Sequence, residues 1–140
     1  INFKNFDTSQ VVDISCMFAN CSALTSWDLS MFNTSNVKKM DNLFIRCKVL
    51  TTLDLSSFYT SQVTKMTSMF YGCSSLSSLI LSNFNFSSLT EAKNFLKNCF
   101  NLEYINLANF DDSYITTISK NYDIWSVNNI IWSNRVIKGN

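Results

Sequence analysis

The chain has no histidine and no proline, and its 140 residues include only two glycines, Gly72 and Gly139. Without histidine, the commonest general base and the commonest metal ligand are both missing. A cysteine nucleophile would lack its usual imidazole partner. No glycine-rich phosphate loop occurs, and the ten acidic residues are scattered, so no catalytic set assembles from this inventory. The chain therefore reads as a non-enzyme, with no cofactor and no metal site. Charge is scarce as well: 15% of residues are Asp, Glu, Lys or Arg, against roughly 25% in ordinary soluble proteins. The net charge is +1 with no basic cluster, which argues against nucleic acid or an anionic membrane as the main partner. No apolar run approaches the ~20 residues of a membrane-spanning helix. There is no initiator Met, and Ile1-Asn2-Phe3 aligns with the inside of a repeat unit. That start is expected of a processed product or of the ordered part of something longer.

What is present is burial capacity and repetition. Of all residues, 46% are hydrophobic and 14% aromatic, with twelve Phe. The stretch Leu50 to Cys73 holds one whole copy of a unit that returns about five times with a period of 26 residues. Leu55 aligns with Leu29, Leu81 and Leu107. Phe58 aligns with Phe6, Phe32, Phe84 and Phe110, and Cys73 with Cys21, Cys47 and Cys99. A fixed period of this length marks a solenoid, in which no unit buries its apolar face alone.

Each unit has two halves. The first reads Leu-x-x-Leu-x-Leu-x-x-Phe, and its i, i+2 pair places two apolar side chains on one face of a strand. Equivalent strands of successive units would pair into a parallel sheet. The second half has apolar residues at i, i+3, i+6, i+7 and i+10, as in Val37, Met40, Leu43, Phe44 and Cys47. This spacing predicts one stripe of a short helix, with Ser9, Ser35, Ser61 and Ser87 or Ser88 as N-caps and Ser88 to Glu91 as a capping box. With almost no glycine, the turns must come from Asn, Asp and Ser. The expected fold is a single α/β leucine-rich-repeat solenoid over residues 1–140. Its parallel sheet lies on the concave face and its helices on the convex face. Regular units run to about residue 110, and 111–140 form a degenerate unit in which Trp125, Ile130, Ile131 and Trp132 cap the end.

Units such as Leu53-Asp-Leu-Ser-Ser-Phe through Met69-Phe-Tyr-Gly-Cys73 resemble the 26-residue repeat of BspA-like leucine-rich-repeat surface proteins. The likeness spans about residues 1–110 and departs at Asn85-Phe-Ser-Ser-Leu and at Phe95-Leu96. It implies an extracellular or cell-surface module for adhesion or protein binding, without catalysis.

Candidate functional positions lie between the core residues. The outward positions of the strands, Ser26, Asp28, Ser30, Thr52, Asp54, Ser56, Ser78, Ile80, Ser82, Tyr104 and Asn106, form a polar, mildly acidic candidate face for a protein or glycan. Asp28 and Asp54 are too few for a calcium site. Asn20, Asn33 and Asn85 each open an Asn-x-Ser/Thr sequon and are candidate N-glycosylation sites. Cys21, Cys47, Cys73 and Cys99 read as a ladder of reduced, buried thiols, because helices would hold them too far apart to bridge. Cys16 is left over. The rival readings are an end-to-end filament or coat, which open strand edges would favour, and an intracellular scaffold, which unpaired thiols would favour.

Overall fold

A computed structural model describes residues 6–107, 130–132 and 135–137. It is a β-rich stack of coils. Strands β1 (Thr52–Asp54), β2 (Ser78–Ile80), β3 (Tyr104–Asn106), β4 (Ile130–Trp132) and β5 (Arg135–Ile137) form one sheet in that order. The first four run parallel and β5 is antiparallel to β4. Leu53, Leu79 and Ile105 stack in register and are buried. Their neighbours face outward, as the two-residue period of a strand dictates. The strands sit where the Leu-x-Leu halves place them. In the unit before β1, Ser26 to Ser30 form no strand.

The expected period holds from β1 to β3 and then slips. Tyr104 pairs with Ile131 and Ile105 with Trp132, 27 residues on rather than 26. The expected cap at Trp125 lies outside the described residues. So does most of the degenerate unit.

The second half of each unit is not a helix; among the described residues there is none. The hydrogen bonds show why. The amides of Met40, Asn42, Phe44 and Arg46 donate to the carbonyls of Lys65, Thr67, Met69 and Tyr71 in the next coil. The intervening amides of Leu43, Ile45 and Cys47 donate three residues back, to Met40, Asn42 and Phe44. None of these seven amides makes the i to i−4 bond of an α-helix. The alternation needs two left-handed residues per coil, and they recur in register: Cys16, Asn42, Ser68 and Asn94, then Asn20, Arg46, Gly72 and Asn98. Asn and Gly adopt this conformation at least cost, and together they fill five of these eight positions. Parallel bridges join Asp13, Lys39, Lys65 and Glu91 just ahead of the turns. The predicted caps are also not caps: the Ser35 amide donates to Asn33 Oδ1 within a turn.

Tight turns and a helix bury the same positions here. Val37, Met40, Leu43, Phe44, Cys47 and Leu50 are all inside, as are Val63, Met66, Met69, Phe70, Cys73 and Leu76 one coil later. Their side chains form columns across the coils. Phe18 stacks on Phe44 at 5.3 Å between ring centroids, and Phe44 on Phe70 at 5.6 Å. Phe70 then meets Phe95 edge-on at 5.1 Å, because the fourth unit carries Phe95-Leu96 where its predecessor has Met69-Phe70. Each such ring contributes about 1.5–3 kcal/mol by burial.

A polar ladder runs through this core. Thr8, Thr34 and Thr60 are buried at one repeat position. Each hydroxyl donates to the carbonyl, and accepts from the amide, of the residue 25 positions on: Asn33, Tyr59 and Asn85. Buried backbone groups are thereby satisfied between coils. In the fourth unit the position is Phe86, which packs on Phe84 and Phe95.

Candidate interaction face

The sheet presents two outward columns. Thr52, Ser78 and Tyr104 form one, and Asp54, Ile80 and Asn106 the other. Thr52 and Asp54 are exposed, and the other four are half-buried. Six of the eleven sequence-nominated face residues are therefore brought together by strand register. Ser56 and Ser82 follow β1 and β2, half-buried at the sheet margin. Ser26, Asp28 and Ser30 are exposed in the unit before β1 but belong to no strand. Asp28 Oδ1 accepts from the Ser30 hydroxyl at 2.7 Å and from its amide at 3.1 Å. These two bonds hold the Asp28 carboxyl below the usual carboxylate range.

Charge divides between the two sides of the coils. Over residues 6–107 the strand halves carry Asp28, Asp54 and Glu103 and no cation, whereas Lys38, Lys39, Arg46, Lys48, Lys65, Lys93 and Lys97 all lie in the turn halves; Arg135 opens β5. On that side Lys65 pairs with Glu91 at 2.7 Å, which raises the Lys65 pKa, and Lys39 approaches Asp13 at 3.8 Å. Exposed pairs of this kind contribute little to stability, so their role is to set the sign of the surface. The sheet side is the more acidic.

The cysteines are free thiols, but the helix-based reason for expecting that does not survive. Backbone hydrogen bonds join the coils on this side too, so the column is closely stacked. Each thiol instead has a job in the core: Cys47, Cys73 and Cys99 donate to the carbonyls of Phe18, Phe44 and Phe70 at 3.0, 3.1 and 3.0 Å. The Cys73 thiol beside it, followed by burial, raises the pKa of Cys47. At Cys73 the bond from Cys47 favours the thiolate, but Cys99 and burial outweigh it and push the thiol up to about 12. Such groups are protonated and poorly nucleophilic at neutral pH. Cys21 is half-buried and Cys16 is exposed.

Asn20, Asn33 and Asn85, the sequon residues, are all exposed. Among the described residues no group of three or more His, Cys, Asp or Glu is placed to hold a metal ion. Nor is any helix there long and apolar enough to cross a membrane. Sequence reasoning gave no role to Tyr59, an exposed aromatic between Asn33 and Asn85 in the repeat alignment. That alignment position was the signal available.

A family model described as "Mycoplasma protein of unknown function, DUF285" matches residues 1–110 of the chain. No curated protein and no solved structure matches it.

Proposed function

The chain belongs to the DUF285 family, and we propose that its repeat stack is a non-catalytic interaction module, extracellular or at the cell surface. Its sheet face would take a protein or glycan partner. The observation that carries this reading is the register of β1 to β3, which stacks Thr52, Ser78 and Tyr104 beside Asp54, Ile80 and Asn106. The core residues of the repeat are spent on the fold, so the outward columns are where units are free to differ. Tyr104 and Ile80 supply the anchoring area that short Ser and Thr lack. Asp54 and Glu103 add a mild negative field. The resemblance to BspA-like surface proteins supports the same setting, and the absence of histidine in the chain supports the lack of catalysis.

The test is binding of fluorescent beads coated with the purified chain to intact epithelial cells. Substituting Tyr104→Ser together with Ile80→Ser should reduce bead attachment at least tenfold. Equal attachment by the variant and the parent would remove the sheet face as the binding surface.

A second reading is end-to-end assembly of copies into a filament or coat. It is favoured by the apolar residues that the first described coil leaves at the surface, Phe6, Val12 and Met17, with Phe6 57% exposed. A strict monomer in sedimentation at high concentration would eliminate it.

A further inference from the structure

Away from the sheet, Asn33, Tyr59 and Asn85 form a column at successive repeat positions. Their backbones are held rigidly by the buried threonine ladder, with amide and carbonyl of each tied to Thr8, Thr34 and Thr60 at 2.7–3.0 Å. Their side chains are exposed, and Tyr59 is 57% accessible.

The two asparagines are oriented by their own turns. Asn33 Oδ1 accepts from the Ser35 amide at 3.1 Å and from the Ser35 hydroxyl at 2.7 Å. Asn85 Oδ1 accepts from the Ser87 amide at 2.8 Å. A backbone amide can only donate, so the side-chain oxygen must face the turn and Nδ2, with two N–H groups, must face away. Neither Nδ2 donates to any described residue.

We propose that this column is a binding site for a neutral saccharide, separate from the sheet face. An exposed ring offers a flat apolar surface to the C–H face of a sugar. One coil to either side, at roughly 4.8 Å per coil, an oriented amide offers donors to sugar oxygens. A few fixed polar groups around an apolar contact are what orient a small ligand. Ser35, Ser61 and Ser87 add exposed hydroxyls alongside, and residues 33–35, 59–61 and 85–87 contain no charge; the column's one described carboxylate is Asp7, a coil before Asn33, which accepts from the Ser9 amide. Neutral groups at three successive coils favour an uncharged, hydroxyl-rich ligand, and a carboxylate at the column's end disfavours phosphate. Because the ladder fixes the backbone, little ordering cost is left for binding.

The site shares no residue with the sheet face, so it stands or falls independently of the proposed function. The same Nδ2 atoms are those that the Asn33 and Asn85 sequons would modify, so the unmodified chain is the one to titrate. Bacterially expressed, ¹⁵N-labelled chain is titrated with cellotetraose, chitotetraose, β-1,4-galactotetraose and α-1,6-mannotetraose. At least one should shift the backbone amides of Asn33, Tyr59 and Asn85 and both side-chain NH₂ groups. Tyr59→Ser should weaken binding at least tenfold. Asn33→Asp and Asn85→Asp keep the turn acceptor while removing the donor, and each should weaken binding several-fold at unchanged melting temperature. Tyr104→Ser should leave it intact. The proposal is overturned if none of the four probes shifts these resonances, if shifts map to the sheet face instead, or if Tyr59→Ser binds as the parent does.

Discussion

The Thr60 hydroxyl donates to the carbonyl of Asn85 at 2.9 Å and accepts from its amide at 2.7 Å. One side chain thus closes two backbone groups of the next coil, and Thr34 and Thr8 do the same one and two coils earlier. Thr60→Val keeps the shape and removes both bonds. Leaving a buried backbone group unsatisfied costs roughly 1–3 kcal/mol, so chemical denaturation should show a loss of about that size. Thr60→Ser should recover most of it. A Val variant as stable as the parent would mean the ladder contributes nothing.

The left-handed columns give a second expectation. Gly72 has φ +72°, and a Cβ there would meet Arg46 Cγ at 3.4 Å. A left-handed conformation costs a non-glycine residue roughly 1–2 kcal/mol, so Gly72→Ala should be destabilising by about that much. Asn42, at φ +57°, should tolerate Gly with little change and lose stability as Val. A helix would give the opposite order at Asn42, because glycine is the poorer helix former.

The thiol column makes stability depend on alkaline pH. An unfolded cysteine titrates near about 8.5, whereas Cys73 in the stack is pushed up to about 12 and Cys47 is raised as well. Groups whose folded pKa is raised stabilise fully below the unfolded value. The folded state holds their protons longer, so that contribution falls as pH climbs above it. Denaturation under reducing conditions from pH 7 to 10.5 should show stability declining more steeply in the parent than in Cys47→Ala/Cys73→Ala. Parallel declines would show that these thiols are not held protonated.

Much of this was legible from residues alone, and the rest for a specific reason was not. Leu53, Leu55, Phe58, Val63, Met66, Met69, Phe70 and Cys73 were nominated as core and are buried. Strand alternation also put Thr52 and Asp54 outside. The helix was a misreading because apolar residues at i, i+3, i+6 and i+7 fit a run of three-residue turns as well as a helical stripe. The discriminating residues were in view: Asn42, Ser68 and Asn94 recur in the middle of the supposed helix, as do Arg46, Gly72 and Asn98, and most of these are poor helix formers. Thr34 and Thr60 were opaque for another cause. A hydroxyl that serves a neighbouring coil's backbone looks in sequence like one that faces water. The candidate face was half visible, since composition marks outward positions but only register showed which of them meet. Ser26, Asp28 and Ser30 fall outside because no strand forms in their unit.

The coils are joined amide to carbonyl across repeats, on the turn side as well as at the sheet. Through-hydrogen-bond scalar couplings in labelled protein test it directly. Couplings are expected from the amide nitrogens of Asn42, Phe44 and Arg46 to the carbonyl carbons of Thr67, Met69 and Tyr71. Couplings from those amides to residues four earlier in their own unit would contradict it and restore the helix.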